Sequence, residues 1–304
     1  MAKRDGNFEA QFDMFVRYLS DLPLRDSRET MERPFFSLGK RKRVKPIEYT
    51  SPGGEVWVKV QAHQDFGMAS IYDADVLIWA ASIITEHLQK RNNEPPPQQI
   101  RFQPYDLLKS IRRGTSGRDY LELKAAFDRL RTTSIKTNIR VPGRRKEAAF
   151  HWLDSWTDDI DEKTGESRGM TLTLSKWLYD GLVQEGGVLS LHPDYFLLTG
   201  GLERWLYRVV RKHAGHQRPG WLCTIPTLYD KSGSESPLRR FRFEMKKLCE
   251  EDQLPEYHLE WHEETESGSQ AIHAVRREFL DASHPAFKFP SRKDKRRPVV
   301  KLGG

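Results

Sequence analysis

Apolar residues recur along this chain at helical spacing in some segments and at strand spacing in others. Residues 69–90, ASIYDADVLIWAASIITEHLQK, are apolar at helical spacing, and Asp73 is placed to cap the first turn. The segment NNEPPP at 92–97 predicts the end of that helix, because prolines cannot continue it. The runs PIEYT and EVWVKVQ flank SPGG, so residues 46–61 are predicted to form a β-hairpin. Four apolar residues on one face predict a short helix at 8–20.

The middle of the chain gives a compact order of elements. A strand at 99–102 and a helix at 104–113 lead to the turn GTSG. A second helix at 118–133, a strand at 134–140, the basic loop VPGRRKEA and a strand at 149–156 follow. Preceded by the long helix, this is the order of a winged helix, in which the helix after the turn faces the DNA groove.

The second half of the chain repeats this order. Its predicted elements are a helix at 200–215, a strand at 221–225, a short helix at 226–233, a helix at 236–251, and strands at 256–264 and 271–279. Tyr120, Leu123, Phe127 and Leu130 align with Leu238, Phe241, Met245 and Leu248 at one offset (238 − 120 = 118). We therefore predict an α+β fold of two tandem winged-helix domains related by an internal repeat.

The predicted domains follow from this repeat. They are an N-terminal helix and basic arm at 1–45, a first winged-helix domain at 46–185, a second at 186–284, and a basic tail at 285–304. An acidic turn within 156–174 resembles a calcium loop, but Lys163 and Thr164 stand where a calcium loop needs an oxygen ligand and a glycine. We predict an ordinary hairpin there.

The charge balance favours an anionic partner. Lys and Arg number 50 against 43 Asp and Glu, a net charge of +7 over 304 residues. Basic runs occur at 40–45, KRKRVK, and at 288–301, and they are either phosphate contacts or solvated segments. With two cysteines, no apolar run of about 20 residues and no cleavable leader, we expect a soluble cytoplasmic protein without disulfides.

The helix predicted at 236–251 has the pattern of a DNA-reading helix. Leu238, Phe241, Met245 and Leu248 form a narrow apolar stripe. The remaining face presents Arg239, Arg240, Arg242, Phe243, Lys246 and Lys247. Arginine can bond guanine in two places, lysine can bind phosphate, and phenylalanine can pack on thymine methyl groups. The alternative is that Phe243 contacts another domain and the basic residues are merely solvated.

The helix predicted at 118–133 is less basic, so its outer face suits either DNA or a protein partner. That face carries Arg118, Glu122, Ala125 and Arg129, with Leu121 at its edge. Further basic residues are predicted to surround it: Arg112 and Arg113 before the turn, Lys136 and Arg140 on the next strand, and Arg144, Arg145 and Lys146 on the wing. A basic wing tip suits phosphate or minor-groove contact.

Motifs of catalysis are missing from the sequence. No GxxxxGK[ST] phosphate loop, no His-x-His pair and no GxSxG nucleophile motif occurs. HAGH at 213–216 lies near Cys223 in the sequence, but two histidines and one cysteine are too few for a zinc site. We therefore expect no enzyme activity, no cofactor and no metal.

With this organisation in place, the chain resembles the plasmid replication initiator (Rep) proteins, and most closely the replication initiator protein A family. The resemblance covers roughly residues 30–280. It is carried by RPFFSLGKRKR (33–43), IYDADVLIW (71–79), YDLLKSIRRGTSGRDYLELKAAFDRLRTTSIKTNI (105–139), LSKWLYDGL (174–182), LHPDYFLLTGGLERWLYRVVRKHAG (191–215) and SPLRRFRFEMKKL (236–248).

This resemblance implies sequence-specific binding of double-stranded DNA at origin direct repeats, called iterons. It also implies origin opening, recruitment of the host initiator and replicative helicase, and repression of the protein's own promoter as a dimer. DNA reading is carried over to Arg239, Arg240, Phe243, Lys246 and Lys247 by position on the helix. The predicted second wing, EETESGSQ, is acidic and short, so it departs from a DNA-binding wing.

Two other functions remain open from the sequence. A winged-helix transcription regulator without a replication role would have the same fold. A DNA-nicking initiator would use one of the ten tyrosines as its nucleophile.

Overall fold

The computed structural model describes residues 15–16, 22–90, 94–140, 147–165, 167–266 and 268–288. The chain divides by its internal contacts into two compact units. The first contains Met1–Leu191 and Tyr229–Glu235, and the second contains His192–Leu228 and Ser236–Gly304. Helices and strands occur in both, so the predicted α+β class is confirmed.

The elements up to Leu191 belong to the first unit. In chain order they are β1 (Phe15–Val16), β2 (Arg25–Ser27), β3 (Ile47–Thr50), β4 (Trp57–Gln61), α1 (Ala74–Lys90), β5 (Gln99–Phe102), α2 (Pro104–Ser110), α3 (Gly117–Thr132), β6 (Ser134–Thr137), β7 (Ala148–Phe150), β8 (Leu153–Ile160), β9 (Ser167–Leu174), α4 (Lys176–Val183) and β10 (Val188–Ser190).

The rest of the chain adds a 3₁₀ turn and further helices and strands. They are Pro193–Leu197 (3₁₀), α5 (Gly201–His213), β11 (Trp221–Thr224), α6 (Ile225–Ser232), α7 (Leu238–Glu251), β12 (Tyr257–His262), β13 (Ala271–Arg276) and Arg277–Phe279 (3₁₀). Among the described helices, none combines the length and apolar composition that crossing a membrane requires.

A three-stranded antiparallel arrangement in the first unit packs against helices. β5 pairs with β9, and β9 pairs with β8, so the last strand lies in the middle. Trp79 of α1, Phe102 of β5 and Phe127 of α3 are buried together, with ring centroids 5.0 and 6.2 Å apart along this series. Apolar residues at helical spacing thus place α1 and α3 on the sheet. The predicted hairpin within 156–174 is confirmed as β8 and β9.

The strand after α3 joins a different sheet, which corrects the predicted position of the wing. β6 pairs with β4 and β7, and β4 pairs with β3, as the predicted hairpin at 46–61 required. Val58, Val60 and Ile135 are fully buried on one face of this sheet. The hairpin that follows α3 in the sheet of β5 is therefore β8–β9, and the basic loop at 141–148 connects strands of the other sheet.

The N-terminal helix predicted at 8–20 lies mostly outside the described residues. Within that segment the structure describes Phe15–Val16, which form a short strand parallel to β5 instead of helix. The remaining strand of the unit, β10, pairs antiparallel with β2. Four aromatic side chains of this unit stack in two pairs. The ring centroids lie 4.8 Å apart for Trp152 and Phe36, and 4.1 Å apart for Phe150 and Trp177.

The chain from α5 onward repeats the order helix, strand, helix, helix, strand, strand. Its sheet has the order β11–β13–β12, so again the last strand lies in the middle. Phe241 and Met245 of α7 are fully buried, as are Leu123 and Phe127, their counterparts at the offset of 118 residues (241 − 123 and 245 − 127). The same spacing of apolar residues therefore produces the same packing of this helix in both units.

Candidate nucleic-acid interface

Helix α7 exposes the basic face that its sequence pattern predicts. Phe241, Met245 and Cys249 are buried, which fixes the rotation of the helix about its axis. Arg239, Arg240, Arg242, Phe243 and Lys247 are then exposed, and Lys246 is half-buried. The side chain of Phe243 is 70% exposed and lies among the basic residues of this face.

The charged residues of this face are held in weak, exchangeable pairs. Arg240 Nε lies 2.9 Å from Glu244 Oε1, and Lys247 Nζ lies 3.5 Å from Glu251 Oε1, each one helical turn away. Such exposed pairs contribute little to stability, so a phosphate or a base edge can replace the carboxylate. Arg239 and Arg242 are exposed beside them.

Lys246 is tied to the hairpin of β12 and β13. Its Nζ atom lies 2.5 Å from Glu263 Oε1, and this bond raises the pKa of Lys246. Bonds from Lys246, Trp261 and Gln270 lower the pKa of Glu263 to about 2. Lys246 therefore ties α7 to the β12–β13 hairpin as well as adding positive charge to the helix.

Helix α3 presents a less basic face, as predicted. Arg118 is 87% exposed and lies 3.8 Å from Glu122, and Leu121 is 69% exposed. A mixed surface with one exposed leucine suits a protein partner as well as DNA.

Arg129 and Arg113 are held by buried carboxylates inside the first unit. Arg129 donates two hydrogen bonds to Asp73, of 2.7 and 2.8 Å. These bonds are the main reason that the pKa of Arg129 is raised. Arg113 donates to the carbonyl oxygen of Tyr72 and lies 3.2 Å from Asp75. Asp73 is 2% and Asp75 1% exposed, so both arginines neutralise carboxylates that water does not reach.

Arg140 is likewise engaged within the first unit. Its guanidinium lies 3.9 Å from the centre of the Trp177 ring, donates to the carbonyl oxygen of Trp177 and pairs with Glu29 at 2.6 Å. Lys136 is exposed, but on β6, where its cross-strand neighbour is Lys59 in the second sheet. Arg112 is half-buried with a positive φ of 55°, at the end of α2. The predicted ring of basic residues around α3 is therefore not continuous.

The loop that carries Arg144, Arg145 and Lys146 lies outside the described residues. The β8–β9 hairpin, whose strand β8 packs against α3, is acidic instead. Asp161 accepts hydrogen bonds from the backbone of Thr164 and Lys163 and pairs with Arg168, and these bonds lower its pKa. An acidic hairpin repels the DNA backbone, so this hairpin is not suited to the phosphate contact expected of a wing.

The basic run at 40–45 divides into structural and exposed residues. Arg43 is buried, donates to the carbonyl oxygen of Gly233 at 2.7 Å, and has its pKa lowered by burial. Lys40, Arg41, Lys42 and Lys45 are exposed. The sequence left this run as either phosphate contacts or a solvated segment, and both readings now concern the four exposed residues without buried Arg43.

The two histidines of HAGH, which with Cys223 are too few for a zinc site, contact neighbouring side chains. His213 stacks on Trp221 at 4.6 Å, and His216 contacts Arg276. Cys223, the cysteine near this segment in the sequence, lies buried on β11. Clusters with the geometry to ligate a metal ion are formed instead by Glu260 and histidines of β12, β13 and the following segment.

The chain is similar in sequence to replication proteins and similar in fold to one solved structure. The model of the family described as "RPA: Replication initiator protein A" matches residues 25–259. A protein of Wigglesworthia glossinidia brevipalpis, named "Putative replication protein", is 36% identical over 236 residues, which cover 76% of this chain and 82% of that protein. The crystal structure of domains 2 and 3 of RctB matches with a TM-score of 0.59 and 14% identity, over 81% of this chain and 96% of that chain. At this identity the last match concerns the fold alone.

Proposed function

Because the chain belongs to the replication initiator protein A family, we propose that it initiates plasmid replication by reading direct repeats at the origin. Double-stranded DNA is bound through two winged-helix modules, of which the second determines the sequence preference. The protein then promotes opening of the origin and recruits the host initiator and replicative helicase. It acts on DNA without enzymatic activity, and it represses its own promoter as a dimer in the cytoplasm.

The exposed face of α7 is the observation that carries this proposal. Three arginines, two lysines and Phe243 lie together on a helix whose rotation is fixed by buried Phe241 and Met245. A helix of this kind fits the major groove, where arginine can bond O6 and N7 of guanine and phenylalanine can meet the methyl group of thymine. Arg239 and Arg240 are proposed as base readers, and Arg242, Lys246 and Lys247 as phosphate contacts.

The repeated element order supports two winged-helix modules. In each half of the chain, a helix follows the strand–helix pair, and a hairpin then returns to the first strand with the last strand in the middle. This connectivity places one helix and one hairpin side by side, which is how winged helices meet DNA. In the first module, α3 offers Arg118 together with Leu121, and we propose that this face also serves dimerisation.

The proposed DNA surface leaves out Arg113, Arg129 and Arg140, because each is engaged with a carboxylate or ring of the first unit. Arg112, Lys136 and the loop with Arg144, Arg145 and Lys146 remain proposed phosphate contacts. Of the exposed run at 40–45, Lys40, Arg41, Lys42 and Lys45 are added to them.

A transcription regulator with the same modules is the alternative function. It would bind an inverted repeat at a promoter and have no effect at the origin. The membership of the chain in an initiator family favours the first proposal.

Substitutions on α7 test the reading role. Arg239→Ala and Arg240→Ala are each expected to weaken binding to the cognate repeat by about 1–3 kcal/mol, roughly fivefold to 150-fold, if each arginine bonds a guanine twice. Binding to a scrambled duplex should change less. Arg218→Ala serves as the matched control, because Arg218 is an exposed arginine of the same unit outside α7. Titrations of labelled duplexes at physiological salt measure all of these affinities.

Equal losses on cognate and scrambled DNA would contradict base reading and make Arg239 and Arg240 phosphate clamps. A loss of the same size in Arg218→Ala would show a general charge effect, and it would remove α7 as the reading helix.

A further inference from the structure

Histidines and one glutamate collect on one face of the sheet in the second unit. His258, Glu260 and His262 alternate along β12 and therefore share a face. His273 joins them because it is the residue of β13 paired directly with Glu260. The other face of β12 carries Tyr257 and Leu259, which are buried in the core.

The carboxylate of Glu260 stands between two of these histidines. Its Oε2 atom lies 3.4 Å from His273 Nδ1 and 4.0 Å from His262 Nε2. The three potential ligand atoms lie within 4.8 Å of one another. A tetrahedral zinc ion with bonds of about 2.1 Å places its ligand atoms roughly 3.4 Å apart. Small side-chain rotations are therefore enough for all three atoms to bind one ion.

His273 is oriented for ligation by its second ring nitrogen. Nε2 lies 2.8 Å from the carbonyl oxygen of Pro219, so this nitrogen carries a hydrogen and donates it. In the neutral ring, Nδ1 then turns its lone pair towards the negative oxygen of Glu260, and the two repel each other. A cation between them removes the repulsion. A ring N–H held by a backbone carbonyl is also the arrangement that orients histidine ligands at metal centres.

His262 supplies a second, independent indication. Its Nε2 atom is buried and makes no hydrogen bond to any residue in the described part of the chain. Buried polar atoms are nearly always hydrogen-bonded, because leaving one unpaired costs free energy. A metal ion in front of Glu260 would satisfy this nitrogen.

A neighbouring cluster of His258, Glu260 and His284 fits a metal ion less well. His284 Nδ1 accepts the backbone N–H of Ala286 at 3.1 Å, so the neutral ring keeps its hydrogen on Nε2 and has no lone pair left to offer. His258 Nδ1 is bonded to Asp252 at 2.7 Å. The two clusters share one carboxylate, and the hydrogen bonds favour the cluster of His262 and His273.

We propose that Glu260, His262 and His273 bind one divalent transition-metal ion, with Zn²⁺ as the best fit. Two imidazoles and one carboxylate, without a thiolate, suit zinc and its neighbours and leave further positions for water or a ligand from a partner. The ion joins β12 to β13. Its ligand His262 directly precedes Glu263, which binds Lys246 of α7. The ion therefore stiffens the hairpin on which that lysine rests. This site does not depend on the DNA-reading role of α7.

Zinc binding by the full-length, untagged chain tests the proposal. The protein is stripped with a chelator and titrated with Zn²⁺ in a calorimeter, in a buffer that does not bind metal. We expect one ion per chain, and Co²⁺ in its place should give the visible absorption of a site with nitrogen and oxygen ligands. His262→Asn and His273→Asn should each weaken binding at least tenfold, since losing only an outer partner of a ligand costs about tenfold to a hundredfold.

His284→Asn is the matched control, and its zinc affinity should stay within about twofold of the unsubstituted chain, since it keeps all three proposed ligands. Thermal melting without metal shows whether each variant folds, and Glu260→Gln replaces any variant that does not. No zinc binding by the unsubstituted chain would overturn the proposal. So would binding that survives both His262→Asn and His273→Asn, or binding that is lost in His284→Asn.

Discussion

Arg129 and Arg239 lie on helices α3 and α7, which occupy the same place in their units, but the two side chains have different surroundings. The guanidinium of Arg129 is bonded twice to Asp73, a carboxylate that is 2% exposed. The side chain of Arg239 is exposed to solvent. The helical wheel predicts that both point away from the apolar stripe. It cannot reveal Asp73, which is 56 residues away in the sequence and meets Arg129 only after folding.

The pair of Arg129 and Asp73 predicts a large effect on stability. Arg129→Met should lower the free energy of unfolding by about 3 kcal/mol, because it leaves a buried carboxylate without its positive partner. Arg118→Met is the control, since Arg118 is 87% exposed and should change stability by less than about 0.5 kcal/mol. Urea unfolding followed by circular dichroism measures both. If the two variants unfolded at the same urea concentration, the structural role of Arg129 would be refuted.

The helices and strands could be predicted from the sequence better than the pairing of the strands. The apolar spacing of Leu123 and Phe127, and of Phe241 and Met245, determines which side of α3 and α7 is buried, and the structure agrees. The partner of β6 could not be predicted, since Ile135 would be buried equally well beside β5 or beside β4. Pairing depends on contacts such as Asn138 with the backbone of Trp57, across 81 residues. The basic loop was for this reason assigned to the wrong hairpin.

The first turn of α3 predicts a pH-dependent stability. Asp119 Oδ2 accepts the backbone N–H of Ser116 at 2.8 Å and its hydroxyl at 2.5 Å, and the hydroxyl bond is the main cause that lowers the pKa of Asp119. A carboxyl whose pKa is lower in the folded state stabilises the fold above its unfolded pKa of about 3.9, and this stabilisation is lost as the pH falls.

Asp119→Asn should therefore cost about 1 kcal/mol at neutral pH, the usual worth of a helix cap, and less near pH 3, which lies below the unfolded pKa. Urea midpoints of the variant and the unsubstituted chain, taken at both pH values, give this difference. Leu121→Ala, on the exposed face of the same helix, removes no titratable group, so its effect on stability should show no such change with pH. A cost for Asp119→Asn that is equal at both pH values would contradict the capping role.

At the scale of the whole molecule, positive and negative charge lie on different elements. The net charge of +7 includes the exposed face of α7 and the exposed part of the run at 40–45, whereas the β8–β9 hairpin is acidic. Because α7 is positive and the β8–β9 hairpin is acidic, we expect DNA to be approached mainly through α7. We therefore expect specificity to arise in the major groove, with a modest contribution from the described hairpins.

The most direct test of an origin-reading initiator is a footprint of the purified chain on the DNA upstream of its own gene. The measurement is made at physiological salt with competitor DNA, because affinity for phosphates alone depends steeply on salt. We expect protection of several evenly spaced direct repeats, lost with Arg239→Ala and Arg240→Ala combined and kept with Arg218→Ala. Protection of a single inverted repeat over the promoter, or of no site at all, would contradict this expectation.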